Sequence, residues 1–158
     1  MAMAGTLAGR LSRMNSRFDI IRHPYSLSSM ATAHAAHVPG HRLAKTLLLE
    51  DEGGYVAAVI PSNHHLQLST LCDMTGRKLV LAHEDEIREV FKDCDLGAIP
   101  PCAMSYGMQT YVDESLFEEP EVWFEAGDHL ELVHMDRDQF MMLMEDAQRG
   151  KFSRVMMS

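Results

Sequence analysis

The sequence has little cysteine, a single tryptophan and no long apolar run. Its three cysteines, Cys72, Cys94 and Cys102, are odd in number and lack C-x-x-C spacing. That argues against a disulfide framework or a zinc knuckle and points to a reducing compartment, so a cytoplasmic location is expected. No stretch reaches about 18 apolar residues, which excludes a transmembrane helix. H-E-x-x-H and G-x-S-x-G are absent. Gly53-Gly54 is not followed by Lys-Ser/Thr, so there is no phosphate-cradling glycine loop. Three common routes to hydrolysis, by zinc, by an elbow serine and by a P-loop, therefore lack their sequence signatures.

What is present fits one domain. The chain has 158 residues, 46% hydrophobic and 23% charged, enough for one sizeable core. The net charge of -9 is unevenly spread. Residues 1–49 carry six basic residues (Arg10, Arg13, Arg17, Arg22, Arg42, Lys45) and one acid, Asp19, while residues 50–158 are strongly acidic. Such a chain can still offer a local basic surface to a polyanion. Residues 1–17 read as an N-terminal helix or leader. Their Arg- and Ser-bearing, acid-free composition also suits a transit peptide, but Leu7, Leu11 and Met14 recur at helical spacing.

The strongest pattern is a pair of apolar runs, Leu43 to Leu49 and Tyr55 to Ile60, joined by Asp51-Glu52-Gly53-Gly54. They predict a β-hairpin in the core. Before it, Ser26 is placed to cap a helix over 27–37, closed by Pro39-Gly40. After it, Ser62 to His65 reads as a turn, Leu66 to Gly76 as a short helix and Lys78 to Leu81 as a strand. Glu84-Asp85-Glu86 opens a helix with acid at its positive end. Asp95 to Gly107 has neither period and reads as an ordered loop. Strands are expected at 110–113, 122–125 and 130–135. Asp136 with Gln139 resembles a capping box for a last helix, and 148–158 reads as a loose tail. Hairpins interspersed with helices give an α+β fold with a mixed, mostly antiparallel sheet in a single domain over 1–158.

Three constellations could carry chemistry. His34, His37, His41 and the pair His64-His65 invite a metal, yet Pro39-Gly40 breaks the register, and no metal or cofactor is expected. Cys102 lies in the Pro-rich loop as a thiol candidate, with free core cysteine the plainer reading. Gly97-Ala98-Ile99-Pro100-Pro101 is the third. Two prolines stiffen it, Gly97 permits close backbone approach, and amides at Ala98 and Ile99 could hold a carbonyl oxygen. Lys45 stands apart as a cation inside an apolar strand, either snorkelling or functional.

These segments together resemble the YbaK/EbsC family of aminoacyl-tRNA deacylases, related to the editing insertion domain of bacterial prolyl-tRNA synthetase. The resemblance rests on Leu43-Ala44-Lys45-Thr46-Leu47-Leu48-Leu49, Val59-Ile60-Pro61, the G-x-x-x-P loop Gly97 to Pro101, Val112-Asp113-Glu114-Ser115 and Phe124-Glu125-Ala126-Gly127-Asp128-His129. It spans about residues 20 to 145. It implies a partly barrel-like sheet with surrounding helices and a pocket between them. It further implies hydrolysis of the ester joining a wrong amino acid to a tRNA 3′ end. On that reading Lys45 is the essential lysine, Gly97 to Pro101 holds the aminoacyl group, and His129 takes the place of a histidine in the insertion domain. Aminoacyl-tRNA is the implied partner, bound at its acceptor end, and a synthetase is the further partner such editing allows; no membrane is involved.

The expected activity is trans-editing of a small amino acid, a second sieve where one methylene yields only about 1–3 kcal/mol of discrimination. The alternative is a non-catalytic domain of the same fold that binds a tRNA acceptor end or another partner. Two departures from the family bear on specificity. Pro100 stands where several members carry Ser, and Cys102-Ala103-Met104 follows Pro101 without a glycine.

Overall fold

A computed structural model describes residues 3–26 and 28–157. The first half comprises α1 (Gly5–Arg13), β1 (Asp19–Arg22), α2 (Ser29–Ala36), β2 (Leu43–Asp51), β3 (Gly54–Pro61), β4 (His64–Leu66) and α3 (Leu68–Thr75). The second comprises β5 (Val80–Leu81), α4 (Glu84–Val90), β6 (Gln109–Asp113), β7 (Glu121–Glu125), β8 (Glu131–Asp136), α5 (Arg137–Leu143), β9 (Gln148–Gly150) and β10 (Ser153–Val155).

The expected hairpin forms the middle of the sheet. β2 and β3 pair from Ala44↔Pro61 to Asp51↔Gly54, leaving Glu52-Gly53 as a two-residue turn. Asp51 closes that turn by accepting from the Gly53 amide at 2.7 Å. Around the hairpin the strand order is β1-β8-β7-β2-β3-β6-β9, with β5 also on β2. The β2–β7, β3–β6 and β6–β9 pairs are parallel and the rest antiparallel. The fold is thus α+β with a mixed, mostly antiparallel sheet, open at β1 and β9 rather than closed into a barrel.

Strand alternation sorts the core onto two faces. Ala44, Val59, Val112, Val122 and Phe124 face Leu7 and Leu11 of α1 and Phe140 and Leu143 of α5. On the same side, Leu48 and Ala57 meet Phe91, Ile99 and Ala103. The opposite face sends Leu49, Val56, Ala58 and Ile60 against Leu71 of α3 and Phe152. Burying a Leu or Phe contributes about 1.5–3 kcal/mol, so a sheet covered on both faces supplies most of the driving force.

Local signals explain most helix ends. Asp136 accepts from the Gln139 amide at 2.9 Å, as the capping pattern implies. Gly76 ends α3 in the left-handed region at φ 69°. The cap of α2 is Ser28, whose hydroxyl accepts from the Ala31 amide at 3.1 Å; Ser26 instead bonds the Thr32 hydroxyl at 2.6 Å. Leu27, expected to open that helix, lies outside the described residues. Two expectations differ from the structure. Ser62 to His65 is not only a turn, because His64–Leu66 pairs with β10. Nor is the segment after Gln148 loose: Asp113 accepts from the Phe152 amide at 3.0 Å and the Ser153 hydroxyl at 2.8 Å, and Phe152 is fully buried. Among the described residues no helix is long and apolar enough to cross a membrane.

Candidate active site at a gap in the sheet

One edge of β2 has two partners and a space between them. β7 pairs at Leu43 and Ala44, and β5 pairs at Leu49 and Glu50. The parity of the ladder shows what faces the gap. The Ser62 amide donates to the Leu43 carbonyl, so odd-numbered residues of β2 bond toward β3. The Ala82 amide donates to the Leu48 carbonyl, so even-numbered residues bond toward the opposite edge. Thr46 is even, and its N–H and C=O point into the gap, between the last β7 pair at Ala44 and the first β5 pair at Leu49. Its Oγ1 is buried and unpartnered.

The gap opens onto a cavity of about 300 Å³ lined by Thr46, Leu47, Leu48, Phe91, Leu96, Gly97 and Ile99, with Leu81, Ala82, Glu84 and Ile87. Its walls are mainly apolar, and an unpaired hydroxyl in such a place is costly unless a ligand meets it. A wider hollow of about 660 Å³ shares Glu84, Leu96 and Gly97 with it and adds Tyr25, Arg88, Asp95 and His129.

Gly97 belongs to the wall common to both. It is exposed and sits at φ 85°, which side-chain-bearing residues rarely adopt. Ile99 lines the cavity, whereas Ala98, Pro100 and Pro101 are buried behind it. The Ala98 amide, expected from the sequence to be free, instead donates to the Asp95 carbonyl at 3.0 Å. The Ile99 amide has no backbone partner among the described residues. Neither Pro100 nor Met104 lines the cavity, so the departures from the family pattern do not fill it.

His129 is drawn to this loop from the β7–β8 connection. Gly127 makes the approach possible: at φ 120°, a Cβ there would lie 2.9 Å from the Cβ of Ala4. His129 follows in the left-handed region at φ 62° and is 2% exposed. Its Nε2 bonds the carbonyl of Leu96, the residue before Gly97. Its Nδ1 faces Glu125 Oε2 at 3.8 Å, and Glu125 Oε1 faces His23 Nε2 at 3.4 Å. Burial, with Asp128 nearby, pushes the Glu125 carboxyl up to about 8.

Lys45 is odd-numbered and leaves β2 on the face away from Thr46. Its amine donates to the Ser62 carbonyl at 3.3 Å and lies near His64, and Lys45 lines neither hollow. Partial burial lowers its pKa. The structure thus gathers Gly97, Ile99 and His129 and leaves the Lys45 amine outside their cavity.

The other constellations fare differently. Cys102 is fully buried, and desolvation raises its thiol to about 11, the reverse of an activated nucleophile. Among the described residues no three His, Cys, Asp or Glu side chains converge as a metal site. A shallower hollow of about 690 Å³ at the hairpin turn is lined by Glu50, Asp51, Glu52 and Arg77, but Arg77 is already paired with Asp51 at 2.5 Å. Sequence reasoning passed over Thr46, His23, Tyr25 and Glu125 as site residues. The Lys45-Thr46 alternation was the available signal for the first, and the segment Phe124 to His129 contained the last.

Residues 23–143 match the aminoacyl-tRNA editing domain family. No curated protein sequence matches the chain. Among solved structures, a candidate trans-editing enzyme for prolyl tRNA synthetase is similar at a TM-score of 0.82 and 24% identity, over 96% of each chain. The hypothetical protein APE2540 gives a TM-score of 0.83 at 18% identity, over 94% of this chain and 99% of that one. A scaffold from computational epitope grafting gives 0.82 at 19% identity, over 97% of each. At these identities the likeness concerns the fold.

Proposed function

We propose, given that the chain belongs to the aminoacyl-tRNA editing domain family, that it is a trans-acting deacylase of tRNA mischarged with a small amino acid. A tRNA for proline is the first substrate to test. The observation that carries this reading is the cavity at the β2 gap, with Thr46 and Gly97 both in its lining. Its volume of about 300 Å³ lies at the low end for small-molecule sites, which suits a short side chain. The wider hollow beside it would take the terminal ribose and base, with the exposed Tyr25 ring as a stacking surface and Arg88 as the cation.

Water attacks the ester carbonyl, the tetrahedral oxyanion collapses, and the ribose oxygen leaves with a proton. An activated ester needs no protein nucleophile if that oxyanion meets fixed donors. The Thr46 amide and hydroxyl are donors of this kind, and Gly97 lets the backbone approach. Lys45 is assigned as a positioning cation for the terminal ribose-phosphate. One bond at 3.3 Å holds its amine on the far face, so this role requires the side chain to swing round the open edge of β2 to a phosphate there. The lodging of that amine on the far face also favours a second reading, in which the domain binds an acceptor end without hydrolysing it. A panel of tRNAs charged with Ala, Cys, Ser, Thr and Pro separates the two. Wild type should deacylate one or more of them and Lys45→Ala none, with unchanged folding. No turnover by wild type together with retained binding of the acceptor end favours the binding module; full turnover by Lys45→Ala removes Lys45 from the mechanism.

A further inference from the structure

His23 from the start of the chain meets Glu125 at the end of β7 and His129 of the β7–β8 connection beneath the Gly97 loop, and each is under 7% exposed. Four of their polar atoms, His23 Nε2, both Glu125 oxygens and His129 Nδ1, are buried without a hydrogen-bond partner. Their proton inventory follows from what each ring already holds. A carbonyl can only accept, so His129 carries its proton on Nε2, toward Leu96, and His23 carries its own on Nδ1, 2.8 Å from the Pro24 carbonyl. In the neutral rings His129 Nδ1 and His23 Nε2 are then bare lone pairs, and both face the Glu125 carboxyl group. A carboxylate there would set lone pairs against lone pairs in a site closed to water. One additional proton in the cluster neutralises the carboxylate and turns one of the two lone-pair contacts into a donor–acceptor pair.

We propose that Glu125 and His23 are positioning residues, which by holding one shared proton keep the His129 Nε2–H on the Leu96 carbonyl and so fix Gly97 at the cavity wall. This rests on the reading of that cavity as the aminoacyl site. The raised pKa of Glu125, about 8, agrees with a protonated cluster at neutral pH. The charged surroundings also favour keeping the proton. Asp128 on the same turn repels a second anion. Arg22 of β1 is paired with Glu131 of β8 at 3.5 Å and adds no free cation. From α4 and the loop before Gly97, Glu84, Arg88 and Asp95 line the hollow onto which His129 opens. Lys45 of β2, one residue beyond the Ala44↔Phe124 pair, turns its amine to Ser62, and the Tyr25 ring packs against His129 at 5.4 Å. Above about pH 8 the shared proton is lost, the His129 tie weakens, and Gly97 is released.

The test follows nitrogen-labelled histidine and the Gly97 amide by NMR across pH, beside steady-state deacylation. In wild type, the His129 and Gly97 signals should shift together near pH 8. Deacylation, corrected for spontaneous ester loss, should fall about tenfold per pH unit above that point, as expected for a required proton. Glu125→Gln cannot ionise. It should keep the His129 tautomer, lose both transitions and retain kcat within a few-fold below pH 8. Glu125→Ala should lower kcat about tenfold or more with little change in KM, since Glu125 lines neither hollow. If Glu125→Ala fails to fold, Glu125→Gln and the NMR titration still decide. A transition unchanged in Glu125→Gln, or a Gly97 amide indifferent to pH in wild type, overturns the proposal. Coupled NMR transitions without turnover on any charged tRNA retain the proton sharing and overturn the editing reading instead.

Discussion

Replacing Thr46 by valine should make the protein more stable and less active. The Thr46 hydroxyl is buried, finds no partner, and lies on a mainly apolar wall. An unsatisfied buried polar group costs about 1–3 kcal/mol, and the added methyl fits the apolar lining. Since Thr46 is only half-buried as a residue, the lower end applies, and a gain of about 1 kcal/mol is expected. For a domain of this size that raises the thermal midpoint by about 2–4 °C. If the hydroxyl meets the ester in the transition state, its loss should slow deacylation about two- to twelvefold, the equivalent of one hydrogen bond worth about 0.5–1.5 kcal/mol. The assay pairs a thermal melt with single-turnover deacylation. A lower melting point would mean that the hydroxyl is satisfied in the free protein. Unchanged turnover would mean that the substrate never reaches it. Either result refutes the argument, because an ordinary core threonine cannot give opposite signs in the two measurements.

Gly97→Ala should cost about 1–2 kcal/mol, because its φ of 85° lies where a Cβ meets the following carbonyl. Deacylation should fall further for bulkier aminoacyl groups, as read from kcat/KM across the charged-tRNA panel. The Glu125 carboxyl, raised from 4.5 to about 8 in the folded state, contributes most stability below the unfolded value and loses it as pH rises to about 8. At about 1.36 kcal/mol per unit the ceiling is about 5 kcal/mol, and urea midpoints near pH 5, 7 and 9 should fall in wild type but much less in Glu125→Gln.

The hairpin, the left-handed end of α3 and the Asp136 cap were legible because each depends on neighbours within a few residues. β4, β9 and β10 were not. His64-His65-Leu66, Gln148-Arg149-Gly150 and Ser153-Arg154-Val155 have no alternating apolar pattern, and their pairing is set by partners far along the chain. The site shows the same division. Gly97 could be singled out from its own loop. The face of β2 that holds the cavity could not, since it depends on where β7 and β5 stop beside β2. Alternation alone set Lys45 and Thr46 apart, without saying which of them met Gly97. The His23–Glu125 contact needed the β1–β8 pairing, which carries the amide of His23 to the carbonyl of Leu130 at 2.9 Å.

The interruption along β2 has a further consequence for how the protein survives at high concentration. Open strand margins invite foreign chains to dock and propagate fibres. Here the vacancy exposes the main chain of one residue, flanked on each side by native strands. That is long enough to greet a small ester and too short to template a neighbour's strand.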